Sequence, residues 1–258
     1  MDLDIKGLRV LVTAGASGIG LAIAQAFVRE GARVAICDVD EAALTARAAS
    51  DPQFSRFTCD VANRAAVAPL FENVTKALGG LDVLVNNAGI AGPTARVEEM
   101  HPEDWDRCLQ VCLTGQFNCA RLAVPLLRQS TNASIVNLSS AAGRLGFALR
   151  SPYAAAKWGV IGFTKSLSIE LGPDNIRVNA ILPGLVAGDR QRRVLEAKAQ
   201  QRGVSYKEME DIAFSFTSIK EYVTPEQIAD QIVFMCSPRG RTISGQAISI
   251  CGDTRMLG

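Results

Sequence analysis

A β-branched run, Leu8 to Thr13, leads directly into Ala14-Gly15-Ala16-Ser17-Gly18-Ile19-Gly20, after which Ile19, Ile23, Ala26 and Phe27 recur at helical spacing until Gly31. A strand, a glycine-rich turn and a helix in immediate succession open a βαβ unit. They commit the chain to a parallel sheet with right-handed crossovers and helices on both faces. Glycines let the backbone approach a ligand closely, and the free N–H groups at the helix start suit a pyrophosphate, so Ser17, Gly18 and Ile19 are candidate cofactor contacts. Glycines also serve any tight βα connection, and the next strand supplies a check. Arg33 to Cys37 ends at Asp38, about 20 residues beyond the turn, where a dinucleotide-binding unit places the acid that binds the adenosine ribose hydroxyls. A loop cap at a strand end is the plainer alternative for Asp38.

The alternation continues. Strands are predicted over 57–61, 81–85, 133–138, 176–181 and 246–250, and Val67, Leu70, Phe71, Val74 and Leu78 form the apolar stripe of an intervening helix. Pro102 with Glu103, Asp104 and Asp106 marks a helix start, and the spacing predicts long helices over 102–128 and 152–172. The reading is an α/β chain: one doubly wound, Rossmann-type parallel sheet of seven strands in a single domain over 1–258, with its ligand crevice at the carboxyl ends of the strands. From Leu185 to about Val223 the rhythm breaks into a polar, basic stretch, read as a helical lid over the substrate.

Composition narrows the function. With 27 Lys+Arg against 26 Asp+Glu, no bulk field argues for nucleic acid or an anionic membrane. No apolar run approaches the ~20 residues of a membrane span, and Met1 to Lys6 does not resemble a secretory signal. Seven cysteines are odd in number and lack paired CxxC spacing, which argues for reduced thiols and a cytoplasmic location. One histidine, His101, expected beside a helix start, leaves no Ser/His/Asp triad and no multi-histidine metal site; no metal is expected.

Ser151-Pro152-Tyr153-Ala154-Ala155-Ala156-Lys157 carries the chemistry. Tyr153 and Lys157, four apart on a helix, share one face. An adjacent positive charge favours a phenolate and lets a phenol act as general acid or base near neutrality. The same spacing arises by chance on exposed helices, so the pair gains meaning only from its company.

Taken together, the glycine turn of Thr13 to Gly20, Asp60, Asn86-Asn87-Ala88-Gly89 and Tyr153 with Lys157 resemble the short-chain dehydrogenase/reductase family over roughly Lys6 to Gly252. The family's catalytic serine precedes the tyrosine by the interval that selects Ser140 over Ser139. The resemblance implies that Tyr153 exchanges the hydroxyl proton, Ser140 orients the same oxygen, and Lys157 favours the phenolate and holds the nicotinamide ribose. It places Gly18 and Ile19 at the pyrophosphate, Asp60 and Val61 at the adenine, and Asn87 at the nicotinamide-side ribose. Ala88, Gly89, Pro183 and Val186 complete the expected cofactor contacts. Asp38, which repels a 2′-phosphate, points to NAD as cofactor, and the family implies a homotetramer. The implied reaction is hydride transfer between a secondary alcohol, such as a sugar-like compound or hydroxy acid, and NAD. Carbonyl reduction in the reverse direction, and a cofactor-binding protein with little catalysis, are the alternatives.

Three positions depart from the family pattern: Ala14 replaces the first turn glycine, Gly188 replaces a threonine, and Cys112 stands where an asparagine is expected. No basic residue lies near Cys112 in sequence, so no lowered thiol pKa is expected there. Arg190, Arg192 and Arg193 follow Pro183-Gly184, and one of them turned into the crevice would favour an acidic substrate; a solvated charge run is the alternative.

Overall fold

In the computed structural model the described residues are 2–257. The strands are β1 (Arg9–Thr13), β2 (Arg33–Asp38), β3 (Ser55–Thr58), β4 (Val83–Asn86), β5 (Ser134–Leu138), β6 (Arg177–Pro183) and β7 (Ala247–Ile250). They form one seven-stranded parallel sheet in the order β3-β2-β1-β4-β5-β6-β7. The order reverses between β1 and β4, which opens the crevice outside their carboxyl ends. Helices α1 (Gly18–Arg29), α2 (Glu41–Ser50), α3 (Arg64–Leu78), α4 (Pro102–Leu109), α5 (Gly115–Leu127), α6 (Ser151–Glu170), α7 (Asp189–Arg202), α8 (Tyr206–Ser215) and α9 (Pro225–Cys236) complete the chain.

Alternation within the strands makes two cores. Val10, Val12, Val34, Ile36, Val83 and Val85 point to the face covered by α1 and α9, where Ile23, Phe27, Ile228 and Ile232 meet them. Leu11, Ala35, Cys37, Leu84 and Ile135 point to the other face, against Val67, Leu70, Phe71 and Val74 of α3 and Cys119 and Leu127 of α5. The predicted α3 stripe is buried throughout.

Two expectations change. β3 runs over Ser55–Thr58 rather than 57–61, because its register against β2 ends at the Asp38–Thr58 pair. Asp60 instead folds back on itself, Oδ1 accepting from the Ala62 amide at 3.0 Å. The helix expected over 102–128 is divided: α4 passes into a π-helical turn, Gln110–Thr114, before α5. Close packing accompanies that turn, since a Cβ on Gly115 would lie 2.7 Å from Val61 Cγ2. The segment beyond β6 leaves and returns at one point: Ala187 N–H donates to Val223 O at 2.9 Å and Val223 N–H to Leu185 O at 2.8 Å. Between those anchors lie α7 and α8, as the broken rhythm suggested.

Candidate active site

The site is built where β1, β4, β5 and β6 end. In the β1–α1 turn, Ala14 has φ 50° and Gly18 φ 53°, both left-handed. Gly20 admits no side chain, since a Cβ would lie 2.1 Å from the Ala14 carbonyl oxygen. Ser17 enters α1 in extended conformation and makes no side-chain cap, so the first N–H groups of α1 have no side-chain acceptor from the N-cap. Close backbone approach and uncapped donors fit a pyrophosphate. Asp38 closes β2 beside this turn, its carboxylate accepting from the Ala16 and Asp40 amides, each at 3.2 Å.

Asn87 is a brace. Its Nδ2 donates to the carbonyls of Thr13 and Ala14 at 3.0 and 3.1 Å, while the Asn87 and Ala88 amides donate to Thr13 Oγ1 at 3.0 and 2.9 Å. The segment after β4 is thereby tied to the glycine turn. Asp60 is paired with Arg107 at 2.9 Å, and the Val61 carbonyl accepts from Asn118 Nδ2 at 2.9 Å.

At the other end of the crevice, the two serines after β5 divide their tasks. Ser139 Oγ is buried and donates to the Lys157 carbonyl at 2.7 Å, whereas Ser140 Oγ, half-buried, accepts from the Ala142 amide at 3.2 Å and caps a short 3-10 turn, Ala141–Gly143. From α6, buried Lys157 donates through Nζ to the Leu138 carbonyl at 2.7 Å and lies 5.6 Å from the centre of the Tyr153 ring. A cavity of about 490 Å³ is walled by Ser17, Gly18, Ile19, Asn87, Gly89, Ser140, Tyr153, Lys157, Pro183 and Val186 among others, and Asp38, Asp60, Val61 and Ala88 lie outside its walls.

Cys112 needs a correction. The thiol donates to the Ile90 carbonyl and accepts from the Ile90 amide, both at 3.4 Å, so one side chain closes both polar groups of that residue. It is held below its ordinary pKa by the Cys108 thiol one helical turn earlier and by the Lys157 ammonium, which together outweigh burial. The basic partner comes from α6, so a search of the neighbouring sequence cannot find it.

The arginine run also divides. Arg192 turns outward and pairs with Glu196 at 2.9 Å, Arg190 donates to the Gly89 carbonyl at 3.1 Å, and Arg193 reaches the cavity wall. Sequence reasoning missed the wall residues Phe147, Arg150 and Lys198. Arg150 had a signal: it stands three residues before Tyr153, at the N-cap of α6. Its guanidinium carbon lies 5.1 Å from the Tyr153 ring centre and 5.2 Å from that of Phe147, and Nη2 donates to the Ala91 carbonyl. Lys198 Nζ stands 4.0 Å from the Phe147 ring centre, and burial, then Arg150 and Arg202, lower its pKa to about 8. Among the described residues no group of three or more His, Cys, Asp or Glu side chains is placed to hold a metal, and no helix is long and apolar enough to cross a membrane.

A doubly wound parallel sheet with this glycine turn and this serine, tyrosine and lysine in one crevice defines a dinucleotide-fold oxidoreductase class. The chain belongs to the short-chain dehydrogenase/reductase family: residues 13–252 match the family described as enoyl-(acyl carrier protein) reductase. It is similar to D-beta-hydroxybutyrate dehydrogenase of Cupriavidus necator, at 33% identity over 246 residues, 93% of this chain and 95% of the relative. To the 3-oxoacyl-(acyl-carrier-protein) reductase FabG of Thermotoga maritima it is 35% identical over 254 residues, 97% of this chain and 98% of the relative. Among solved structures, NAD+-bound xylitol dehydrogenase matches with a TM-score of 0.92 at 28% identity, covering 96% of this chain and 99% of that one. A single-substitution variant of actinorhodin polyketide ketoreductase with NADPH matches with a TM-score of 0.91 at 32% identity, covering 95% and 96%.

Proposed function

We propose that the protein is an NAD-dependent oxidoreductase that moves a hydride between a secondary alcohol and the nicotinamide, working as a homotetramer. The observation that carries this reading is the meeting of Ser140, Tyr153 and Lys157 in one cavity with the glycine turn at its far end. Hydride transfer requires that the hydroxyl lose its proton as the carbinol hydride departs, so a proton acceptor must touch the oxygen. Tyr153 is that group, and it returns the proton in the reductive direction. Ser140 Oγ hydrogen-bonds the same oxygen and fixes its place; Ser139 cannot, being committed to the Lys157 carbonyl. Lys157, anchored on Leu138, supplies fixed positive charge beside the ring where the proton moves.

Bound at the glycine turn, NAD would supply the hydride acceptor. Gly18, Ile19 and Ser17 would hold its pyrophosphate and Asp38 its adenosine ribose, with Asp60, Val61, Ala88, Gly89, Pro183 and Val186 around the remainder. Asn87 serves by bracing the turn rather than through its amide nitrogen, which is already engaged. The 185–223 segment covers the substrate end as a lid, with α7 contributing to the cavity wall. The same residues run carbonyl reduction, and similarity to ketoreductases supports that direction as the second reading.

The decisive experiment is Tyr153→Phe, assayed by NADH formation over a panel of secondary alcohols and by calorimetric titration with NAD. Turnover is expected to fall by at least about 100-fold, the scale of a lost general base, with NAD affinity little changed. A variant that keeps most of its rate removes Tyr153 from the chemistry.

A further inference from the structure

We infer, resting on the dehydrogenase reading above, that Met256 and Leu257 on the segment after β7 close the substrate end of the cavity and set the length of substrate it takes. With that limit the protein is a dehydrogenase of short secondary alcohols.

β7 ends at Ile250, and the chain then turns sharply, with Gly252 at φ 62° and Asp253 at φ 56°, both left-handed. Thr254 closes that turn: its N–H donates to Cys251 Sγ at 3.4 Å and its Oγ1 to the Cys251 carbonyl at 2.8 Å. The turn is fastened to the end of the 185–223 segment. The Gly252 carbonyl accepts from the amides of Ser218 and Ile219 at 2.9 and 3.0 Å, Thr254 bridges to Thr217, and the Arg255 N–H donates to the Phe216 carbonyl at 2.9 Å. The Arg255 side chain adds Nη2 to Ser218 Oγ at 2.6 Å and Nε to the Asp253 carboxylate at 3.3 Å. Beyond this clasp Leu257 forms a bridge with Phe147, in the loop that leads into α6. Backbone pairing at both ends makes 252–257 a fixed wall.

Thr254, Met256 and Leu257 line the cavity, and Phe147 shows which end they close. The Phe147 ring centre lies 5.2 Å from the Arg150 guanidinium carbon, which lies 5.1 Å from the Tyr153 ring centre. Leu257 therefore stands on the tyrosine side, with the glycine turn at the far end. Lys198 Nζ, 4.0 Å from the Phe147 ring centre, helps to hold that ring in place. Met209 and Ala213 of α8 join Met256 and Leu257 on the wall, so what α8 and the segment after β7 add to the site is largely apolar. The whole cavity is about 490 Å³, within the roughly 300–1,000 Å³ of a site for one ligand. Yet it runs from the glycine turn to Leu257 and must take nicotinamide and substrate together. Little of that space is left for carbon beyond the carbinol, and the side chains that bound it are Leu257 and Met256.

The test follows NAD-dependent oxidation of 2-butanol and 2-octanol, and NADH-dependent reduction of the matching ketones, in wild type, Leu257→Ala, Met256→Ala and Leu257→Trp. Wild type should favour the shorter compound of each pair in kcat/KM. Leu257→Ala should raise the ratio of long over short substrate by about 10- to 100-fold, the scale on which an apolar pocket discriminates methylenes. Leu257→Trp should lower that ratio below the wild-type value. Met256 is 51% exposed and can be truncated with little loss of packing. Met256→Ala should shift the ratio in the direction of Leu257→Ala, and it decides the matter if Leu257→Ala fails to fold. A wild type that takes the long compound as readily as the short one, or variants that keep the wild-type ratio, overturn the inference and leave the dehydrogenase reading standing. A protein that turns over neither pair in either direction removes that reading and the length limit with it.

Discussion

Ala14 sits at φ 50°, a backbone region that glycine occupies without strain and alanine does not. Relief of roughly 1–2 kcal/mol of left-handed strain competes with the roughly 0.4–1 kcal/mol by which glycine loosens the unfolded chain. Strain is the larger of the two, so Ala14→Gly should stabilise the protein by about 0.5–1 kcal/mol. A urea midpoint that rises at unchanged slope would show it; a fall would mean that the Asn87 brace already absorbs the strain. Gly188 departs from its family for a comparable reason: at φ 134° it caps the start of α7 in a conformation closed to threonine. Lys198 gives a prediction about pH. Its folded pKa, about 8, lies below its unfolded value of 10.5, so between these the unfolded chain binds more protons and stability rises with pH. Lys198→Met should therefore be the more stable protein below about pH 8. The gap to wild type should narrow as pH climbs toward 10.5, in melting curves recorded across that window. A constant gap would show that the lysine is not held neutral-prone in the fold. Ser140 and Asp38 stand at strand ends that the alternation of apolar residues located in the sequence. Arg150 and Lys198 were not legible there, because they come together only in the fold, against the Phe147 ring, one from the N-cap of α6 and the other from α7.

The π-helical turn between α4 and α5 illustrates what periodicity cannot carry. Its residues are compatible with an ordinary helix, and one uninterrupted stretch over 102–128 is the natural reading; the extra residue in the turn is set by packing against Val61 and the loop after β4. The turn carries Cys112, whose thiol joins α4–α5 to Ile90 through two sulfur hydrogen bonds. Cys112→Ala should cost about 1–3 kcal/mol, because it leaves a buried N–H and a carbonyl without partners. Asparagine offers one acceptor and one donor in the same plane and should recover part of that loss if the added volume is accommodated. Chemical denaturation of the two variants checks the order; equal stabilities would show that the bonds to Ile90 contribute nothing. The end of β3 was misplaced for a related reason. Phe57 to Val61 alternates like a strand, but the chain stops pairing where β2 ends, and Asp60 then makes a turn of its own.

Topology was the most legible property of the whole molecule, since seven β-rich runs separated by helices admit few arrangements once crossovers must be right-handed. Assembly is written more faintly. α6 buries Ala156, Lys157, Val160 and Thr164 toward its own sheet, yet it leaves Trp158 52% and Ile169 80% exposed, and Phe117 on α5 is 42% exposed. The Phe117 and Phe163 rings meet edge to face across the two helices, 6.5 Å between centres, so this is an ordered apolar surface. Apolar groups of this size on one face are characteristic of protein contacts. A tetramer with two-fold axes needs a second contact, and β7 supplies an edge strand with no outer strand beside it among the described residues. In the homotetramer that we propose, the α5–α6 face and the β7 edge would be the two contacts. Light scattering should give a mass near four times the 27.5 kDa protomer. Phe117→Glu with Trp158→Glu places charge at the centre of the first contact only and should yield dimers that retain the second. A wild-type protein that stays monomeric at working concentration removes the tetramer. A double variant that stays tetrameric moves the contact away from α5 and α6.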